Sequence, residues 1–200
     1  MERSVRVLLV SMATVAALVV SVGPISAAPV GEGMLTAKDV GLAVMSKPHT
    51  STVIAYELVE SGSCAASSDV EHEARVVSFG TDAGGTGPAL NQVVYDFASK
   101  SEAVGFFADV RASDQARADC GATQKATDLA VAKGPKGLGD DRFTVTSKEL
   151  IGGKSRSVRA FSIREGDAVT KLIFLDWPSG GSAKQVTKVA KEAVARIAAG

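Results

Sequence analysis

Hydrophobic residues are distributed along this chain in clearly different patterns, and each pattern predicts a kind of element. From Val7 to Val22 the chain is one uncharged run dominated by Val, Leu and Ala, closed by Gly23-Pro24. Further on, apolar residues recur at helical spacing in three places. Thr36 with Asp39 makes a variant capping box, and the helix that follows carries Val40, Ala43 and Val44 inward and ends before Pro48. Ser99 with Glu102 opens a second helix reaching about Arg117, with Ala103, Phe106, Phe107 and Val110 on one face. Ser182 with Gln185 opens a third, in which Val186, Val189, Ala190, Ala193, Val194 and Ile197 face inward and Lys184, Lys188 and Lys191 face water. Phe106 and Phe107 fit packing against a sheet better than a ligand clamp, and the lysines fit a solvated flank better than a docking face.

Between these helices the period shortens to that of strands. Residues 52–58, 74–81, 92–98, 129–132, 142–146, 157–164 and 168–177 are rich in β-branched and aromatic residues and are bounded by turn formers. In 92–98 the alternation predicts one face more buried than the other. In 157–164 the apolar phase slips between Val158/Ala160 and Phe161/Ile163, which predicts a bulge. Glu165-Gly166-Asp167 is a tight hairpin turn, and the consecutive apolar run Leu172–Leu175 marks a central strand covered on both faces. Residues 61–68, 82–88 and 134–141 read as loops. Strands joined by short turns pair antiparallel, so the expected fold is α+β, a single antiparallel sheet of about six strands flanked by three helices.

The uncharged run has its own explanation. Arg3 and Arg6 precede it, and Ile25-Ser26-Ala27-Ala28-Pro29 supplies small residues after it, the three-part layout of a cleavable export signal. A permanent anchor needs about 20 apolar residues, more than this run offers. The expected organisation is a signal at 1–27, a flexible leader at 28–34 and one exported domain at 35–200. Cleavage falls after Ala27 or Ala28, and the product is secreted or held in the cell envelope with no stable membrane anchor. No Cys follows the run for lipid attachment, and no Arg-Arg pair marks the twin-arginine route.

Charge and composition narrow the partners. The chain has 22 basic and 22 acidic residues, and without Arg3, Arg6 and Glu2 the remainder carries 20 against 21. A near-neutral product lacks the basic stripe that nucleic acid requires. With one Trp and 5% aromatic residues it has few rings on which a sugar could stack. The two cysteines, Cys64 and Cys120, both lie in the exported part, where an isolated pair most often forms a structural disulfide. Closing that loop would stabilise the fold by roughly 4 kcal/mol in the ideal chain-entropy model.

No nucleophile elbow, Ser-x-x-Lys, zinc-protease or phosphate-loop motif occurs. His72 between Glu71 and Glu73 suits a solvated strand approach better than acid–base work. Asp140-Asp141 suits a turn better than a calcium site, which needs more oxygen ligands. No catalytic, metal or cofactor residue is assigned.

Several short motifs in order carry a resemblance. They are Leu35-Thr-Ala-Lys-Asp-Val40, the strand-to-helix junction Val-Val-Tyr-x-Phe-x-Ser-x-x-Glu-Ala from Val93 to Ala103, Cys120 beyond that helix, Gly-Leu-Gly-Asp from Gly137 to Asp140, and an alanine-rich closing helix. Together they resemble the extracytoplasmic sensor domains of mycobacterial PknH-type kinases and related exported lipoproteins. The resemblance implies an antiparallel sheet flanked by helices, with a cleft proposed to hold a ligand. This sequence has two cysteines where that family often has four, and Ala116-Arg117-Ala118 where it has a tryptophan. With no kinase domain in the sequence, a signal would pass only through a partner. The expectation is an exported, non-catalytic binding or sensor-like domain, with a small apolar ligand between sheet and helices or an envelope protein as partner. The alternatives are an envelope interaction protein or inhibitor using an edge strand or Trp177, and a hydrolase with a scattered site around His72 or Asp140.

Overall fold

The computed structural model describes residues 29–59, 66–81, 87–120, 126–151, 153–177 and 183–199. The segment 1–27 expected to be an export signal and Cys64 lie outside the described residues, as does most of the segment 82–88 expected to be a loop. The elements run α1 (Ala37–Val40), β1 (Ala43–Val59), β2 (Ala66–Gly80), β3 (Ala89–Asp96), α2 (Lys100–Asp119), β4 (Ala126–Lys133), β5 (Asp141–Ile151), β6 (Lys154–Glu165), β7 (Ala168–Leu175) and α3 (Ala183–Ala199). The strands form one antiparallel sheet of seven in the order β1-β2-β3-β7-β6-β5-β4. The α+β class is as expected, with β4 completing the seven. The most apolar strand, β7, is the middle one, as its consecutive hydrophobic residues require.

The strand alternation divides the core into two layers. On one face Phe79, Leu90, Val94, Phe161, Leu172 and Phe174 pack with α1, α3 and the entering residues Met34 and Leu35. On the other, Val93, Tyr95, Phe143, Ala160 and Val169 pack with Ala103, Phe106, Phe107 and Val110 of α2. Burying one such Leu or Phe contributes about 1.5–3 kcal/mol, so each layer is a substantial source of stability. The sheet curls around α2, which touches both edge strands, β1 and β4. The opposite face is therefore convex where α3 does not cover it.

Three local expectations are corrected. The first helix is a single turn, because Gly41 takes φ +75° and ends it; Ala43 and Val44 then start β1. No bulge occurs in β6, which pairs in unbroken register with both β5 and β7. Its run of apolar residues reflects burial on both faces instead. For the same reason β3 is buried on both faces and not on one. No helix among the described residues is long and apolar enough to cross a membrane.

Candidate functional site

The buried stripe of α2 begins apolar and turns polar. The helix starts at Ser99, whose Oγ accepts the Glu102 N–H at 3.2 Å, while the Glu102 carboxylate accepts the Ala98 N–H. After Ala103, Phe106, Phe107 and Val110 the same stripe continues with Ser113 and Asp114, which are equally buried. Asp114 is 4% exposed. Its Oδ1 is 3.4 Å from Arg117 Nη1, and its Oδ2 lies 3.9 Å from Lys171 Nζ on β7 with no hydrogen bond among the described residues. Lys171 stands directly opposite Ser162 of β6, on the same sheet face. The Ser162 hydroxyl is buried and makes no hydrogen bond among the described residues. Ser162 and Lys171 thus share a sheet face without a hydrogen bond between them. What the locus offers is a desolvated carboxylate and an ammonium separated by more than a hydrogen-bond length.

His72 lies on the same face, nearer the start of α2. Its ring meets Phe106 edge-on at 4.8 Å and Tyr95 at 6.3 Å, and Tyr95 stacks on Phe106 at 4.8 Å. Loss of solvent lowers the imidazole below its ordinary 6.5, and burial pushes the Tyr95 hydroxyl up to about 12. Glu71 and Glu73 alternate with His72 on β2, so they point to the opposite, exposed face. The strand reading of these three residues holds, and the sheet divides them, His72 facing α2 and the two glutamates facing water.

Three buried arginines hold the ends of the strands. Arg75 binds Asp96 through both carboxylate oxygens at 2.7 Å and donates to the Glu32 carbonyl. Arg156 binds Asp176 at 2.6 Å; Asp176 has φ +43°, a conformation that costs a non-glycine residue about 1–2 kcal/mol. Arg164 reaches Asp140 at 2.8 Å and Asp141 at 2.7 Å. Hydrogen bonds from Lys100 and Arg164 hold the Asp140 carboxyl below the usual range. Asp140 and Asp141 thus anchor a turn through a guanidinium. The adjacent glycine loop is closed down, with Leu138 fully buried in the α3 layer.

The remaining sequence candidates are dispersed. Cys120 caps the C-terminus of α2 and is half-buried. Trp177 packs edge-on against Phe174 at 5.1 Å and belongs to the α3 layer. Lys184, Lys188 and Lys191 line an open groove of about 480 Å³ on the outer side of α3. No cluster of three His, Cys, Asp or Glu suited to a metal occurs among the described residues.

The β1–β2 arm was not singled out from the sequence as a site. β3 pairs with β2 only from Arg75 to Gly80, whereas β1 pairs with β2 as far as Ala66. The arm therefore extends past β3. β1 is an edge strand, and on its outer face Thr50, Thr52 and Ile54 stand opposite Arg75, Glu73 and Glu71. Ile54 is 55% exposed. Asp114, Lys171 and Ser162 were missed too. Continuing the α2 stripe by three and four residues beyond Val110 reaches Ser113 and Asp114, a signal the sequence did contain.

No family model and no curated protein matches this chain. Among solved structures it is similar to the extracellular domain of PknH from Mycobacterium tuberculosis, with a TM-score of 0.47 and 16% identity over 84% of this chain and 94% of that one. The likeness is distant and concerns the fold.

Proposed function

We propose that this chain is an exported, non-catalytic binding domain of sensor-like type, and that it engages an envelope polypeptide in preference to a small apolar ligand. One observation carries the reading. The layers beneath the helices are filled by the chain's own side chains, with Phe79, Leu90, Phe143, Leu172 and Phe174 at most 1% exposed, while the β1–β2 arm presents Thr50, Thr52, Ile54, Glu71 and Glu73 to solvent. The export half of the reading rests on the Arg3/Arg6 leader and the small residues at 25–28.

Native mass spectrometry of the protein purified from its host tests the proposal. A co-purifying polypeptide is expected, with an N-terminus at Ala28 or Pro29. An apolar small molecule in its place overturns the choice of partner, and an intact Met1 form confined to the cytosol overturns export. Turnover in a panel of ester, amide and phosphoester substrates, abolished by His72→Ala or Asp140→Asn, overturns the non-catalytic assignment.

A further inference from the structure

The two edges of the sheet are not equivalent. β4 is short and interrupted: Asp128 takes φ +54°, the register shifts between Thr127 and Ala130, and Lys133 ends the strand. Bulges, charges and breaks of this kind prevent an edge from pairing with another chain. β1 carries such protection over its first part, where Lys47-Pro48 lies between register shifts at Ser46 and His49. From His49 to Ile54 the pairing with β2 is regular, and from Pro48 to Tyr56 the sequence has no Asp, Glu, Lys or Arg. Because β1 ends the strand order, no strand among the described residues pairs with the outer edge of this stretch. Its outward backbone N–H and C=O groups form a template for one more strand.

The neighbouring strand says what side chains that added strand should carry. Glu71 and Glu73 are exposed on the outer face, opposite Ile54 and Thr52, and neither makes an ion pair among the described residues. A strand added to β1 lies two strand spacings from β2, roughly 9–10 Å. The extended side chain of Lys or Arg crosses that distance over Thr52 and Ile54, whereas Asp or Glu at the same positions meets like charge. Resting on the binding reading above, we propose that the Thr50–Ile54 edge of β1 takes up an extended segment of another protein, with Lys or Arg at alternate positions facing Glu71 and Glu73.

The test is fluorescence anisotropy with labelled synthetic peptides of about seven residues. One alternates Lys with Val, one alternates Glu with Val, and one groups its lysines at one end. The alternating Lys peptide is expected to bind about tenfold more tightly than either other, the effect of two exposed ion pairs. The double variant Glu71→Lys/Glu73→Lys is expected to reverse the preference between the Lys and Glu peptides. Ile54→Lys, which sets an ammonium opposite Glu71 at a position already exposed, is expected to weaken binding of the alternating Lys peptide and not that of the Glu peptide. Equal binding of the three peptides, no binding, or a preference that survives the charge reversal overturns the proposal. So does a dimer in solution that Ile54→Lys dissociates, since the occupant is then a second copy. If the host-purified protein retains a polypeptide that the alternating Lys peptide does not displace, the binding reading stands and this edge is not its surface.

Discussion

Gly139 has φ +59°, and a Cβ built on it would lie 2.5 Å from the Arg164 carbonyl oxygen and 2.7 Å from Ile163 Cγ2. Both neighbours belong to β6, one of the central strands, and cannot move aside cheaply. Gly139→Ala is expected to destabilise by about 2–4 kcal/mol in urea titration, combining backbone strain with a clash. His72 makes a different residue-scale prediction. At pH above 6.5 its imidazole is neutral in folded and unfolded chains alike and adds no pH dependence. As pH falls below 6.5 the unfolded chain binds the proton first, because desolvation has lowered the folded value. Stability therefore declines, until the folded chain is protonated as well. His72→Phe, which keeps an aromatic ring beside Phe106, is expected to flatten this part of the profile; an unchanged slope would assign it elsewhere. The depressed carboxylates act lower. Burial disfavours the ionised forms of Asp39 and Asp176, but their hydrogen bonds outweigh it. Asp140 is held down chiefly by Lys100 and Arg164. Their contribution is in place above the unfolded value of 3.8 and is lost as pH falls through the folded values.

At the scale of elements, α2 joins the two halves of the sheet, leaving β3 beside the central β7 and delivering the chain to β4 at the far edge. Its start depends on the Ser99 cap. Ser99→Ala is expected to cost about 1 kcal/mol, read as a shift in the urea midpoint at unchanged slope. The interior of the stripe matters more: Phe107 is 6% exposed and meets Phe143 edge-on at 5.3 Å. Phe107→Ala is expected to cost about 3–5 kcal/mol. The capping signals and the spacing of Phe106 and Phe107 were legible in the sequence because both are local. The same spacing reaches Ser113 and Asp114, but that Asp114 faces Lys171 was not legible, since Lys171 is on a strand 57 positions later.

At the scale of the whole fold, the described residues form two apolar layers sharing one sheet, so removing either helix layer exposes residues of the central strands. Truncation after Trp177 would uncover Phe174 and Leu172, and is expected to abolish cooperative unfolding and the near-ultraviolet dichroism of the aromatic residues. The proposed Cys64–Cys120 cross-link belongs to this scale as well. The unreduced protein from its host is expected to show no titratable thiol, and two thiols would remove the cross-link.

Local chemistry was enough to place Ser99 at a helix start, the Gly166 turn between β6 and β7, and Leu172–Leu175 in the centre of the sheet. Each of those signals lies within a few neighbouring residues, where helix spacing, turn geometry and an unbroken apolar run act directly on the backbone. The tertiary structure alone decided which strands became edges, that β3 and β6 are buried on both faces, and that Glu71 and Glu73 face water while His72 faces Phe106. Those outcomes depend on pairing between distant strands and on the curl of the sheet around α2. Burial on a second face is set by whatever packs there, and only a consecutive apolar run such as Leu172–Leu175 records it locally; the mixed pattern of β3 does not.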